Sequence, residues 1–473
     1  MSVDYASETT LGHAIFDQAE FGDVRRNARM AESFDIMKRN PSGSLPDKLS
    51  NPADLRALYR LLDCEDVTHE SMLAAIRTHT FTQITACPDP VLILHDATEL
   101  YYSTLKSLVH DLAQIGKGNR RGYICQNVLA VNGRTGAVLG LVDQILHKRA
   151  KTPKKETHAQ HRQRKSRESL LWPKGTKHLP SDSKLTDICD RGADTFEFLE
   201  HEFKSGRQFV IRLGRVRKVY PGHEVGEKTE LLAGFAEGLP ELGRFAMDIQ
   251  FQRGGAKKRK DRTARESEFT IQAAPVLVCP PHVKKGFHGN DPLPLYVVRV
   301  CEVDPPEGEK PVQWTLLTNI VVKTFKQAWD VTERYEKRWI IEELHKGQKT
   351  GCKIEDIQFT TEDRLQPAIA LFTALAVTLL RLRDMSRMED AKSTDASDVL
   401  DSVYIAVLSV WRFGKIKKLT VEEFYYAVAR LGGHQNRSSD HQPGWLVIWK
   451  GWVKLQNMIL GYQAATMNRC GKT

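Results

Sequence analysis

The chain has 473 residues, 41% of them hydrophobic and 27% charged, and a net charge of +10. That balance excludes a disordered tail protein, a collagen-like chain and a disulfide-stapled miniprotein, and it is long enough for two or three domains around a sizeable core. The positive surplus favours a polyanionic partner, which charge alone does not resolve into nucleic acid or an anionic membrane. The eight cysteines (64, 87, 125, 189, 279, 301, 352 and 470) are dispersed with no CxxC pair, so thiolate zinc is not expected and a reducing cytoplasm is the simplest setting.

The N-terminal stretch MSVDYASETTLGHAIFDQAEFGD carries acids and lacks the basic and apolar regions of a signal peptide. Residues 1–70 read as helical. FGDVRRNARMAESFDIMKRN sets Arg25, Arg26 and Arg29 among the apolar positions Phe21, Met30, Phe34 and Met37, and the next segment offers Asn51 or Asp54 as a cap. The three arginines fall near a helix start, where the macrodipole disfavours cations, so an anion is expected there.

The pattern then changes to strands. PDPVLILHDATEL carries an apolar run, Val91–Leu94, that exits onto Asp96. YICQNVLAVNGRTGAVLGLVDQIL reads as a hairpin around an NGRTG turn, Asn132–Gly136. A basic stretch follows, His147–Lys177, with eleven Lys and Arg against two Glu. LTDICDRGAD predicts a short strand ending at Asp190, then a helix, then the strand RQFVIRL. Residues 215–312, rich in Gly, Pro and β-formers and containing the basic run Lys257–Lys260, read as a mainly β insertion. QWTLLTNIVV resumes the core strand pattern, and TFKQAWDVTERYEKRWIIEELHKGQKTG predicts one long helix. AIALFTALAVTLL (Ala368–Leu380), bounded by Pro367 and Arg381, is shorter than the roughly 20 residues of a membrane span and predicts a buried helix. The remainder, from about Met385, is helical, with Trp445, Trp449 and Trp452 expected to pack.

Two strand-exit aspartates and a helical glutamate make the acid set of a two-metal phosphoryl-transfer site. Mg²⁺ prefers oxygen ligands, and two ions about 3.5–4 Å apart can activate a nucleophile and stabilise the leaving oxygen. At about 100° per residue, Tyr335, Arg338, Glu342, Lys346 and Lys349 fall within an arc of about 80°, with Ile340, Ile341 and Leu344 on the other side. The same count singles out Glu342 over Glu343. Taken alone, each feature has a plainer reading. A strand-end Asp is commonly a turn former, and Glu342 with its basic neighbours could be ordinary i,i+4 pairing. Trp314 at a strand start would be core, Asp194 a structural acid, and Arg191 a neutralising neighbour of Asp190.

Together these residues resemble a bacterial DDE cut-and-paste transposase of the insertion-sequence-four family. FGDVRRNAR is similar to its N-terminal DNA-binding segment, HDATEL to its first acidic site, CDRGAD to its second, and ARLGG with GWLVIWKGW to its C-terminal domain. The most specific element is the Tyr–Arg–Glu–Lys signature, here Tyr335, Arg338, Glu342 and Lys349 at spacings of 3, 4 and 7. The resemblance implies an α/β fold: a ribonuclease-H-like catalytic core (71–384) with a β insertion (215–312). An N-terminal helical DNA-binding domain (1–70) and a C-terminal helical dimerisation domain (385–473) would flank it.

Asp96, Asp190 and Glu342 would then hold two Mg²⁺ ions, with Mn²⁺ able to substitute. Arg338, Lys346 and Lys349 would grip transposon-end phosphates, Tyr335 would hydrogen-bond them, and Trp314 would stack on a flipped base. Arg25, Arg26 and Arg29 would recognise the terminal repeat. The implied reaction is hydrolysis to a free 3′ hydroxyl, attack of that hydroxyl on the opposite strand to form a hairpin, hairpin opening by water, and joining of the 3′ end to target DNA. Its partners would be double-stranded terminal repeats and target DNA, and a second copy of the chain in a synaptic homodimer, with no membrane and a nucleoid-associated place in the bacterial cytoplasm. Gly192 stands where the family has an acid, and Ala97 breaks a Thr-Thr pair after the first site. The rivals are a same-fold nuclease without strand transfer, a catalytically silent or inhibitory DNA-binding relative, and a polyanion-binding structural protein. The intact acid set and Trp314 argue against the silent relative, and the polar stripe of the Glu342 helix argues against the structural protein.

Overall fold

The computed structural model describes residues 11–151, 153, 155–249, 251, 262–282, 288–388, 390–437, 440 and 442–470. The basic run Lys257–Lys260 lies outside them. Asp23 caps helix α1 (Val24–Arg39), its carboxylate accepting the Arg25 amide at 2.8 Å, and Met30, Phe34 and Met37 bury one face. Asn51 caps α2 (Pro52–Leu62), which opens on proline. A capping box of Thr68 and Ser71 starts α3 (His69–Ala86), whose buried Met72, Leu73, Ile76 and Ile84 carry the helical region well past residue 70.

Strand β1 (Val91–Tyr101) follows, then the hairpin of β2 (Arg121–Asn132) and β3 (Val138–His147). At its turn the Asn132 carboxamide accepts the amides of Arg134 and Thr135 at 2.8 and 2.9 Å, and Gly136 adopts φ of 74°. Beyond come β4 (Leu185–Cys189), α4 (Phe196–Ser205) and β5 (Gln208–Arg212). Residues 215–312 contain β6 (Lys218–Pro221), β7 (Gly243–Ile249), β8 (Arg265–Val278) and β9 (Leu293–Glu302), and β10 (Gln313–Thr318) closes the series. Helices α5 (Phe325–Glu336), α6 (Trp339–Lys346), α7 (Glu362–Met385), α8 (Ser402–Phe413), α9 (Val421–Leu431) and α10 (Trp445–Cys470) complete the chain.

The long helix expected over Thr324–Gly351 is broken. The Arg338 amide bonds the Tyr335 carbonyl and the Ile340 amide the Lys337 carbonyl, both at 3.0 Å, so the chain tightens to i→i−3 bonding between α5 and α6. A π-helical turn, Gly347–Gly351, follows α6. No Gly or Pro marks the break, so the helical count from Tyr335 to Lys349 does not carry across it.

Two compact units result: a strand-rich unit of residues 89–97 and 149–340, and a helical unit of residues 1–88, 98–148 and 341–473. The division passes inside β1 after Ala97 and inside α6 after Ile340. In the strand-rich unit β1, β4 and β5 run parallel, and the sheet continues antiparallel through β10, β9 and β8 to β6, with β7 also paired to β8. Cys189, Phe209, Ile211 and Leu317 point to one face and pack with Phe196, Phe198 and Leu199 of α4.

The helical unit has its own polar links. The Gln144 carboxamide of β3 donates to Asn127 of β2 at 2.9 Å and to Thr373 of α7 at 2.8 Å, and Gln348 donates to Thr373 at 2.8 Å. These bonds tie the hairpin to α7 inside one core. Helix α7 is long and apolar enough to cross a membrane by length and composition, and 89% of its most apolar window is buried within the protein. Trp445, Trp449 and Trp452 are buried, Trp452 stacking on Tyr404 at 5.3 Å.

Candidate active site and nucleic-acid interface

Strand pairing places the two aspartates. In register, Val91–His95 of β1 pair with Leu185–Cys189 of β4, so Asp96 and Asp190 each directly follow the last paired residues of adjacent parallel strands. Both point away from the face of His95 and Cys189, because side chains alternate along a strand. Asp190 leaves its strand as expected, whereas Asp96 does not: β1 runs on to Tyr101, and only its pairing with β4 ends at His95.

Asp190 caps the short turn Arg191–Ala193, accepting the Gly192 amide at 2.7 Å. A Cβ on Gly192 would lie 3.0 Å from the Asp190 carboxylate and 3.1 Å from the Trp172 ring, so this chain leaves little room for the acid the family carries there. Asp96 accepts its neighbour's amide, from Ala97, at 2.9 Å and the Arg338 guanidinium at 3.1 Å. The Asp96 and Arg338 side chains are 14% and 13% exposed, so the pair is screened by solvent only in part.

Helix α5 brings the remaining groups to the same face. Arg334 fastens it, donating to Thr186 at 2.8 Å and Gln208 at 2.7 Å. Tyr335 is buried with its ring centroid 5.9 Å from that of half-buried Trp314. Burial raises the Tyr335 phenol, an effect Arg212 and Arg338 oppose. Arg212, which the sequence reading missed, hydrogen-bonds Tyr335; burial lowers its own pKa, and the nearby charges of Arg191 and Arg338 add to that fall. Strand alternation from Gln208 was the signal that could have found it. Trp339, 63% exposed, was also missed; the Arg338 guanidinium lies 5.6 Å from its ring centroid. Asp96, Asp190, Arg191, Arg212, Arg338, Tyr335 and Trp314 therefore belong to one unit. Such a set can take hard cations on its acids and phosphate oxygens on its arginines.

Beneath this face a buried ion network ties the strands together. His95 bonds Asp187 at 2.6 Å, Arg207 bonds the other Asp187 oxygen at 2.7 Å, and Arg207 reaches Glu202 of α4 at 3.1 Å. Burial would raise the Asp187 carboxyl, but His95 and Arg207 hold it down at about 2. Burial pushes Glu202 well up, and the Asp187 charge beside it adds to the rise. Asp194 is structural, fully buried and accepting the amides of Gly214 and Arg215 at 2.7 and 2.8 Å and the Arg217 guanidinium.

The other expected residues belong to the helical unit. Glu342 lies on α6, partly buried, and its neighbour Glu343 is ion-paired with Arg383. Lys346 is exposed, and Lys349 on the π turn lies 4.0 Å from Glu355. Arg25, Arg26 and Arg29 surround the start of α1, but each already has a carboxylate. Arg25 pairs with Asp23 at 2.7 Å, Arg26 with Asp66 at 2.6 Å, and Arg29 with Glu32 at 3.1 Å and Asp54 at 3.2 Å. The anion expected at the helix start is thus supplied in part by the Asp23 cap, whose carboxyl Arg25 holds at about 2. Residues 13–67, which include all three arginines, match the family model described as transposase DNA-binding. That match supports a DNA-binding transposase, with DNA as its partner and DNA cleavage as its general activity.

Proposed function

We propose that this chain is a DDE cut-and-paste transposase of the insertion-sequence-four kind, with a ribonuclease-H-like core. The observation that carries the reading is Asp96 beside Asp190 at the end of the β1–β4 pairing, with Arg191, Arg212 and Arg338 around them. The chain order of β1, an antiparallel hairpin and then parallel β4 and β5, with α4 and α5 on opposite faces of the parallel strands, supports that core.

The donor set suits Mg²⁺ or Mn²⁺, since Asp96, Asp190 and Glu342 offer only carboxylate oxygens. Bound there, two ions would activate the attacking oxygen and stabilise the leaving one. Arg338 is bonded to Asp96 and would exchange part of that contact for a DNA phosphate. Tyr335, gripped by Arg212, keeps its proton for donation to a phosphate oxygen. Trp314, packed against Tyr335, offers a ring face to an extruded base and so relieves the tight bend of a DNA hairpin. Lys346 and Lys349 add phosphate contacts. Synapsis in a homodimer, at the nucleoid of a bacterial cytoplasm, would gate cleavage.

The test is product analysis on labelled DNA bearing the source element's own terminal repeat. Nicked, hairpin and joined species should appear in that order with Mg²⁺. Trp314→Ala should nick at nearly the wild-type rate yet form hairpins about tenfold to a hundredfold more slowly, given the roughly 1–3 kcal/mol of a base–aromatic stack. Equal hairpin yield would remove the stacking role. Replacing Arg25, Arg26 and Arg29 by Ala should weaken binding to the terminal repeat and lower its log–log salt slope by about one to three. An unchanged slope would move end recognition to other residues.

A further inference from the structure

We propose that the segment Trp411–Lys418, at the end of α8, is a second DNA-contact surface that takes duplex DNA without regard to sequence; this rests on the DNA-binding reading above. The segment WRFGKIKK carries Arg412, Lys415, Lys417 and Lys418 and no acid. Its backbone is fixed from beneath. Gly414 ends α8 in the left-handed region at φ of 70°, its amide bonded to the Val410 carbonyl at 2.9 Å. The fully buried Ser409 hydroxyl donates to the Lys415 carbonyl at 3.1 Å and accepts the Lys417 amide at 2.7 Å.

The same segment exposes large apolar groups: Trp411 at 41%, Phe413 at 39% and Ile416 at 70%. Arg412 and Lys417 both lie over the Phe413 ring, at 5.4 and 4.9 Å from its centroid. The ring thus draws two cations together from opposite ends of the turn. Lys418 lies 3.8 Å from Asp395, with its side chain 94% exposed. Four cations displayed with aromatic faces between them match a phosphate backbone flanked by sugars and base edges. A second copy of the chain docking symmetrically on this patch would bring its cations against themselves, which disfavours that occupant. Phosphate contacts carry no sequence information, so this surface would serve DNA outside the terminal repeat.

The experiment measures binding of the full chain to a random-sequence duplex and to a terminal-repeat duplex over a salt series. The probe variant is the quadruple Arg412→Ala, Lys415→Ala, Lys417→Ala, Lys418→Ala. On the random duplex it should bind about tenfold to a hundredfold more weakly, with a salt slope lower by about two to three and a half. A Lys→Arg version of the three lysines, which keeps the charge, should retain the wild-type slope and controls for folding. If wild type binds the random duplex and the quadruple variant shows the same slope, this surface is not a DNA contact. If wild type binds neither duplex, the DNA-binding reading itself falls. Capture of wild type but not the variant by phosphatidylserine vesicles, with no difference on DNA, would assign the patch to a membrane surface and overturn the proposal.

Discussion

Asp190→Ala is expected to lower metal-dependent DNA cleavage by on the order of 10³-fold or more while leaving binding to the terminal repeat within about twofold. The split follows from where the groups sit. Asp190 directly follows the last residue of β4 that pairs with β1, beside Asp96, and its carboxylate accepts only the Gly192 amide in the described contacts. The arginines that would recognise the terminal repeat, Arg25, Arg26 and Arg29, belong to the helical unit. Removing the acid leaves these cations in place and frees an amide on a turn that water can reach, so the fold should survive. Asp96→Ala should lose cleavage similarly and also release Arg338 from its 3.1 Å bond. Cleavage and gel-shift measurements on the same preparations separate the two effects. Parallel loss of binding and cleavage in Asp190→Ala would make that aspartate a turn former and no more.

Asp187→Ala should produce the largest loss of stability among single substitutions in the strand-rich unit, about 3–5 kcal/mol. The residue is fully buried and its two oxygens serve different partners, His95 on β1 and Arg207 at the start of β5. It thereby joins all three parallel strands on the face opposite Asp96 and Asp190. Truncation leaves the Arg207 charge buried with Glu202 as its remaining acid. Asp187→Asn keeps the shape and one acceptor oxygen, so its cost should be smaller. Urea unfolding of the full chain, followed by fluorescence, measures the difference. A change under about 1 kcal/mol for Asp187→Ala would show that the network contributes nothing net, as some buried ion pairs do.

Local signals in the chain were legible where a few neighbouring residues determine the outcome. The Asn51 cap, the NGRTG turn, the burial of α7 and of the C-terminal tryptophans, and the structural role of Asp194 follow from capping, turn and periodicity rules, and each is present. What escaped depends on contacts between segments far apart in the chain. Nothing in EKRW marks the break at Lys337–Arg338, next to which Arg338 is held by an aspartate 242 positions away. The continuation of β1 past Asp96 was hidden because the apolar run stops while the strand does not. The His95–Asp187–Arg207–Glu202 network reads in the sequence as ordinary polar residues. Its four members belong together only once the register of β1, β4 and β5 is set. The carboxylate partners of Arg26 and Arg29 are likewise supplied by distant residues, Asp66 and Asp54.

The central claim is that this chain's own acids cut and join DNA with metal. The most direct measurement follows strand cleavage and joining on labelled DNA carrying the source element's terminal repeat, with and without Mg²⁺, for wild type and Glu342→Ala. Wild type should give nicks, hairpins and joined products only when Mg²⁺ is present. Glu342→Ala should give none, although that variant should still shift the same DNA in a binding gel. Specific binding by wild type with no strand broken at any metal concentration would contradict the account and leave a DNA-binding protein without catalysis.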